Sequence, residues 1–331
     1  RFAADAMFSG DNRPSGAMLS YSVNMDEVNT EEDEEEVIIE IFDSFGEKIR
    51  TLERTPQSNG INRTVWGLER SGVERPRRSL RSWGGEPGGR DVLPGTYKVR
   101  FSYGEHADST MVTVKTDPRI EMPMNALRAS YELEGEVEEL TVYLADAVKN
   151  LVKAEDIVEI NTELASSDAR SKEDLQELHD AHEQINEKLD ELFAMVFGKE
   201  MEGQGIVRDP DPTVLTHLYA VNRYLGSDYD GPGARERNLL RLAEEAVHEA
   251  VSKINDFITD DWAEYQRVVE DVLPPEFVSN QPDVEVEAAD LMVVFGQIFP
   301  DGWGIDEIRW HNDFGRIVDR RFVVDMPAAV A

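Results

Sequence analysis

The sequence contains no cysteine among its 331 residues. This absence excludes disulfide bonds, zinc sites with cysteine ligands and catalysis by a thiol. Proteins of oxidising and of reducing compartments can both lack cysteine, so the absence leaves the compartment open. The chain is long enough for two or three domains with a sizeable hydrophobic core.

Long apolar runs are missing as well. Apolar residues make up 40% of the chain and the mean hydropathy is -0.47, values that are typical of a soluble protein. No stretch approaches the roughly 18 consecutive apolar residues that a transmembrane helix needs. The sequence therefore predicts no insertion into a membrane.

Positive charge is scarce. The chain carries 34 basic and 68 acidic residues, a formal net charge of -34, and only nine of the basic residues are lysine. Such a surface repels phosphate, which excludes a nucleic-acid-binding protein and a protein of anionic membrane surfaces. The preference for arginine favours a surface adapted to salt, where like-charge repulsion is screened, over one that is merely acidic.

The first third of the chain has the pattern of short β-strands. Residues 37–43 and 48–52 are rich in β-branched residues and flank Gly46, an arrangement that is typical of a hairpin. Residues 96–103 alternate in polarity and lead through a second turn to residues 110–115. Six or seven short strands with frequent turns favour an antiparallel β-sandwich.

The middle of the chain, residues 121–274, changes to helical spacing. Apolar residues recur every three or four positions in residues 132–164 and 171–199, and a shorter pattern follows Pro212. The last pattern, residues 234–272, predicts one helix of roughly 55 Å at 1.5 Å per residue. Rods of this length cannot wrap a compact globule, so we expect them to pair side by side.

These patterns together predict an α+β multidomain fold in which an antiparallel β-sandwich precedes a long-helix bundle or helical hairpin. The predicted domains are the sandwich at residues 1–120, the helical region at residues 121–274 and a C-terminal extension at residues 275–331. The extension has an irregular pattern, and its structure is left open. The chain opens at Arg1 without an initiator methionine or a signal-peptide pattern, which favours a piece of a longer protein.

Four segments carry a family resemblance. They are FSGDNRPSGAMLSY (8–21), IFDSFGEKIRTL (41–52), GINRTVW (60–66), and VLPGTYKV (92–99) running on to VKTDPR (114–119). In this order they resemble the C-terminal region of bacterial sortilin-like proteins, in which a BNR/Asp-box β-propeller precedes such a module and which are often labelled glycosyl-hydrolase-like. The same segments are similar to the Ig-like domain of flagellar hook-capping proteins, so the resemblance implies an Ig-like sandwich.

Within this sandwich, Trp66 and the turn that contains Pro94, Gly95 and Tyr97 are predicted to be structural residues. We expect Trp66 to point into the core, where an aromatic side chain buries about 150–250 Å². Pro94 presets the backbone of the turn, and Gly95 is expected to adopt a positive φ. These residues then connect the strands rather than perform chemistry.

A basic insert lies between Trp66 and this turn, with Arg75, Arg77, Arg78, Arg81 and Arg90 in an otherwise acidic chain. One interpretation is a solvated loop that the acidic run at residues 31–36 neutralises. The other is a contact for a preceding propeller. The sequence favours the first interpretation and leaves the second open.

No catalytic, metal-binding or cofactor-binding residue is predicted. His179 and His182 lack a third committed ligand, and His182 falls on the apolar seam of its helix. The acidic run at residues 26–36 lacks the spacing and the glycine of an EF-hand loop. The chain has 68 acidic residues, so the sequence does not single out any carboxylate pair for glycoside hydrolysis. These observations weigh against an enzyme but leave the question open.

The leading hypothesis is a non-catalytic accessory and interaction region of a secreted, periplasmic or cell-surface protein. Its expected partners are an N-terminal β-propeller of the same protein or a partner chain, and a second copy that pairs through the helices. Two alternatives stay open. In the first, the chain completes the active site of a glycoside hydrolase. In the second, the chain is a carbohydrate- or protein-binding adhesin module in which Trp83, Trp303 and Trp310 are stacking platforms for the ligand.

Overall fold

The structure of the chain is a computed structural model, which describes residues 14–25, 36–80, 85–167, 175–199, 212–226 and 230–273. The described residues form antiparallel strands followed by helices, so the predicted α+β fold class is confirmed. Strands and helices belong to one compact unit, and the change from one to the other lies between Val114 and Met124.

The described part of the chain contains eight strands. They are β1 (Ala17–Val23), β2 (Val37–Phe42), β3 (Lys48–Arg54), β4 (Gly60–Trp66), β5 (Glu69–Ser71), β6 (Gly88–Asp91), β7 (Gly95–Tyr103) and β8 (His106–Val114).

All strand pairs are antiparallel. The main sheet has the order β3-β2-β7-β8, a second sheet pairs β1 with β4, and β5 pairs with β6. The β5–β6 pair covers the edge of β3, where the Arg50 guanidinium donates to the carbonyl oxygens of Glu86 and Pro87. This pair lies in the basic insert, for which the sequence favours a solvated loop.

The core of the sandwich comes from every second residue of facing strands. Val37, Ile39 and Ile41 of β2 are at most 1% exposed, and Val99 of the neighbouring β7 is fully buried. Leu19 and Trp66 close the core from the opposite sheet of β1 and β4. The period of two in the sequence thus places one face of each sheet inside the sandwich.

The predicted hairpin turn after β2 is confirmed. Gly46 has a φ of 84°, a conformation that glycine adopts without steric cost. The carboxylate of Asp43 accepts hydrogen bonds at 2.9 Å from the backbone N–H groups of both Phe45 and Glu47. The turn therefore has a fixed conformation that holds the Phe45 ring in solvent, where 94% of this residue is exposed.

The helices form a bundle with one shared hydrophobic core. The longest helix, α1, contacts α2, α3 and α4, and α2 also contacts α5. The helices are α1 (Met124–Ser167), α2 (Gln176–Phe197), α3 (Val214–Leu225), α4 (Ala234–Asp256), a π-helical segment (Phe257–Trp262) and α5 (Ala263–Val272).

The apolar seam of α2 faces the inside of this bundle. Leu178, His182, Ile185 and Leu189 are all less than 5% exposed within the single chain. The surface that the seam would offer to a second copy is therefore occupied by α1 and α5. Homo-oligomerisation through the helices stays a prediction that would need another face.

The helix predicted at residues 234–272 is present as one unbroken helical run, in which the π segment separates α4 from α5. One local expectation is wrong. Gly95 does not have a positive φ, since it is already the first extended residue of β7 and pairs with Val114 of β8. Among the described non-glycine residues, only Leu68 has a positive φ, at 67°.

Several predicted features lie outside the described residues. They are Arg81, Trp83, the acidic run up to residue 35, Ser171 at the expected start of α2, and the whole extension with Trp303 and Trp310. Among the helices that the structure does describe, none combines the length and apolarity needed to cross a membrane.

Candidate functional site

The structural residues predicted in the sandwich meet at one end of it. Trp66 is fully buried, as the sequence predicts, and its indole N–H donates a 2.8 Å hydrogen bond to the backbone oxygen of Glu69. Its ring lies 5.5 Å from the ring of Tyr97 in an edge-to-face arrangement. This geometry is favourable for aromatic pairs and fixes β4 against β7.

Tyr97 forms a tyrosine corner. Its hydroxyl donates a 2.6 Å hydrogen bond to the backbone oxygen of Leu93, four residues upstream and just before β7 begins. Burial raises the pKa of this hydroxyl, so it stays a donor at neutral pH. Such a corner is a hallmark of immunoglobulin-type sandwiches. Pro94 and Gly95 lie inside the loop that the corner closes.

The sandwich is attached to the bundle by an arginine contact, which we define as Arg70 and Arg90 of the sandwich with Tyr131, Gly135 and Glu138 of α1. The Arg90 guanidinium lies 4.0 Å from the centre of the Tyr131 ring, and its Nη1 donates to the Tyr131 backbone oxygen at 2.7 Å. The Glu138 carboxylate lies 3.4 Å from Arg90 Nε and accepts from the Arg90 backbone N–H. One side chain thus makes a cation–π contact, a hydrogen bond and an ion pair with one helix.

Gly135 makes room for this contact. A Cβ atom at position 135 would overlap Nη1 of Arg90. Glycine in the interior of a helix costs about 1 kcal/mol relative to alanine, so the helix gives up intrinsic stability here. The close approach of Arg90 to the helix explains why the residue is glycine.

Arg70 extends the arginine contact to the hairpin turn. Its guanidinium donates a 2.9 Å hydrogen bond to the Tyr131 hydroxyl and lies 3.7 Å from the Glu47 carboxylate. Nearby, burial raises the pKa of the Glu134 carboxyl, and the charge of Asp91 adds to the shift. The arginines therefore place positive charge beside the carboxylates of this face of α1.

The basic insert makes a second attachment. The Arg78 guanidinium lies 4.6 Å from the centre of the Phe193 ring in α2 and 3.9 Å from the Glu155 carboxylate in α1. Glu74 of the insert pairs with Lys149 of α1 at 2.9 Å. Arg75 and Arg77 are exposed. Neither interpretation of the insert anticipated that Arg78 would contact the bundle of its own chain.

Of the five residues of the arginine contact, the sequence pointed only to Arg90, as part of the basic insert, and neither interpretation of the insert placed it against a helix of its own chain. A further signal was Gly135, a lone glycine inside an otherwise strong helical pattern and away from any turn. Such a glycine in a helix indicates a close approach by another group. It does not indicate which group approaches, because the partners are 41 and 61 residues apart in the chain.

His182 belongs to a polar cluster in the bundle core. It is 4% exposed, and burial, with a smaller contribution from His179, lowers its pKa to about 4. Burial also raises the pKa of Tyr265 to about 12, and the Tyr265 hydroxyl accepts a 3.0 Å hydrogen bond from the Asn161 amide. Both rings are therefore neutral at neutral pH. Among the described residues, no group of three or more histidine, aspartate or glutamate side chains is placed to hold a metal ion.

Taken together, the described side chains hold two folded parts in one arrangement rather than converge on a reacting atom. No family model matches the chain, and neither a curated protein nor a solved structure shows significant similarity to it. The features of the described residues that bear on function are therefore the arginine contact and the sandwich surfaces that this contact leaves exposed.

Proposed function

We propose that the chain is a non-catalytic accessory and interaction region that presents an Ig-like sandwich, fixed on a helical bundle, to a protein partner. The observation that carries the proposal is the arginine contact. Arg70 and Arg90 join the sandwich to α1, so a partner that binds the sandwich meets a rigid extension instead of a flexible tether. A rigid arrangement lowers the entropy that association costs.

The sandwich keeps surfaces for such a partner. Strand β8 lies at an edge of the main sheet among the described strands, and most of its residues are exposed. An edge strand offers backbone donors and acceptors to another chain. On the outer face, Glu40 pairs with both Lys48 and Arg100, which leaves that face polar.

The resemblance supports an N-terminal β-propeller of the same protein, or a partner chain, as the partner, in a secreted, periplasmic or cell-surface setting. The adhesin alternative depends on three tryptophans that lie outside the described residues.

A binding measurement tests the proposal. The coding region upstream of Arg1 is sequenced, the propeller that we expect there is expressed separately, and its affinity for this chain is measured by calorimetry. We expect a dissociation constant in the micromolar range or below, weakened when β8 carries Met111→Pro, because the N–H group of residue 111 faces away from β7. A propeller that does not bind contradicts the proposal. If deletion of residues 121–331 from the full protein abolishes glycan cleavage, the hydrolase alternative is correct instead.

A further inference from the structure

Strand β8 is an edge strand without the features that usually protect such edges. All nine of its residues pair with β7 in one unbroken register, and the strand contains neither proline nor lysine. Natural edge strands are kept from pairing with other chains by prolines, lysines, bulges or a covering element. The opposite edge of the same sheet, at β3, has such a cover in the β5–β6 pair. The open edge at β8 therefore indicates a strand that pairs with another chain.

The backbone of β8 points alternately to β7 and to the open edge. A two-residue turn joins the two strands, and His106 pairs with Tyr103 across it. The pair that closes such a turn exchanges backbone hydrogen bonds, so the even-numbered residues of β8 point their N–H and C=O groups to β7. The N–H of Ser109 agrees, because it donates to the Asp108 carboxylate at 2.7 Å. The groups that face the open edge belong to Ala107, Ser109, Met111 and Thr113.

The helical bundle leaves this edge accessible. Helix α1 contacts the sandwich at β6, on the β3 side of the main sheet, and β2 and β7 lie between β3 and β8. Seven of the nine residues of β8 are exposed, and Asp108 is its only Asp, Glu, Lys or Arg residue, although such residues make up 31% of the chain. A second copy can thus approach β8 without bringing the two acidic bundles together.

Strand β8 is complementary to itself in one antiparallel register. With Thr110 opposite Thr110 of a second copy, odd-numbered residues lie opposite odd-numbered residues, so the open backbone groups of both copies meet. The same register places Glu105 beside Lys115 of the second copy, twice by symmetry, and both residues are exposed. A register centred on Met111 would bring Glu105 to Asp117 instead. Facing threonines and opposite charges stabilise antiparallel strands, whereas like charges destabilise them.

We propose that two copies of this chain pair antiparallel through β8, with Thr110 at the two-fold axis. The two four-stranded main sheets then form one sheet of eight strands. The N–H of Ser109 leaves the Asp108 carboxylate and donates to the Met111 carbonyl of the second copy. This inference goes beyond the proposed function and does not rest on it. A second copy and a partner protein at β8 exclude each other.

Cross-linking of the full chain tests the register, because the chain has no cysteine of its own. Thr110→Cys faces its own copy in a non-hydrogen-bonded pair, where Cα atoms about 4.5 Å apart suit a disulfide. Asp108→Cys is the matched control, since it lies roughly 13 Å from its copy along the strand. We expect mild oxidation to cross-link Thr110→Cys and to leave Asp108→Cys largely monomeric. Equal cross-linking of the two variants, or none in either, contradicts the proposed register.

Sedimentation equilibrium measures the affinity. For the unsubstituted chain we expect a monomer–dimer equilibrium with a micromolar dissociation constant, since a pair of strands is a small interface. Lys115→Glu makes both charge pairs repulsive and should weaken the dimer roughly tenfold at low salt, and adding Glu105→Lys should restore it. Arg63→Glu, the same change of charge on an exposed residue of β4, is the control and should have no effect.

Two results would overturn the proposal. One is a chain that stays monomeric at concentrations well above micromolar, and the other is a dimer whose affinity does not respond to Lys115→Glu, because such a dimer uses another face. A monomeric chain that binds the propeller would overturn this inference and leave the proposed function intact. A dimeric chain that does not bind the propeller would do the reverse.

Discussion

The guanidinium of Arg90 occupies the space where a side chain at position 135 would begin, so any residue other than glycine at this position requires the guanidinium to shift. Gly135→Ala should therefore destabilise the protein although alanine is the better helix former. We expect a loss of at least about 1 kcal/mol, because Arg90 is displaced from contacts with charged and aromatic partners. Urea unfolding monitored by circular dichroism measures the change.

The same substitution should reverse its sign when Arg90 is absent. In an Arg90→Ala background, Gly135→Ala has nothing to displace and should stabilise the chain by about 1 kcal/mol through helix propensity. Glu139→Ala, an exposed site on the same helix, is the matched control. If Gly135→Ala is stabilising in both backgrounds, the close approach of Arg90 is not what determines this residue.

The tyrosine corner makes a separate prediction. Tyr97→Phe keeps the ring that packs on Trp66 but leaves the Leu93 carbonyl without its donor. We expect a loss of about 1–3 kcal/mol, the cost of an unsatisfied buried polar group. Tyr21→Phe, a half-buried tyrosine of β1 that stacks on Phe101, should change the free energy of unfolding by less than about 0.5 kcal/mol. Equal effects of the two substitutions would show that the Tyr97 hydroxyl contributes nothing.

The basic insert contains its own matched pair. Arg78→Ala removes the stacking on Phe193 and the ion pair with Glu155, and should cost about 0.5–1 kcal/mol. Arg75→Ala, three residues away and exposed, should change the stability by less than about 0.5 kcal/mol. Differential scanning calorimetry measures the stability of both variants. A larger loss of stability for Arg75→Ala than for Arg78→Ala would contradict the attachment of the insert to the bundle through Arg78.

The buried imidazole of His182 predicts a dependence of stability on pH. Burial lowers its pKa in the folded state to about 4, below the value near 6.5 of an exposed histidine. The unfolded chain therefore binds the proton more readily, so the free energy of unfolding decreases as the pH falls from about 6.5 to 4. The full difference amounts to about 3 kcal/mol from this one group.

Other groups oppose or modify this trend. Burial raises the pKa values of Glu134, Glu136 and Glu155, so these carboxyls favour the folded state as the pH falls. His179 lies beside His182, and Lys188 pairs with Asp261 of the π segment.

Urea unfolding at several pH values should show a flatter acid dependence for His182→Gln than for the unsubstituted chain. Identical slopes for His182→Gln and the unsubstituted chain would contradict the burial argument.

The sandwich could be predicted because its signals are local. The alternation of Val37, Ile39 and Ile41 identifies the buried face of a strand, and Gly46 marks a turn whose backbone requires glycine. The burial of Trp66 was expected because a large aromatic side chain of such a sandwich belongs in its core. The prediction of a positive φ at Gly95 was wrong because a Pro-Gly pair occurs both where the glycine turns the chain and where it begins the next strand. The sequence of the pair does not distinguish the two cases.

The attachment of the sandwich to the bundle could not be predicted, because long-range partners leave no periodic signal. Arg90 and Tyr131 are 41 residues apart, and nothing in either local pattern selects the other. The π segment escaped for a different reason. Its sequence, FITDDW, keeps apolar residues at spacings that an α-helix also uses, so the extra residue in the turn becomes visible only in the hydrogen-bond pattern.

The most direct test of the central claim, that the arginine contact fixes the sandwich on the bundle, is a distance distribution between two spin labels measured by pulsed electron paramagnetic resonance. The chain has no cysteine, so Lys98→Cys on β7 and Glu183→Cys on α2 give two unique, exposed labelling sites. We predict one narrow distribution that broadens when Arg90→Ala is added. A broad or multiple distribution in the chain with Arg90 intact would show that the sandwich moves independently of the helices and would contradict the account.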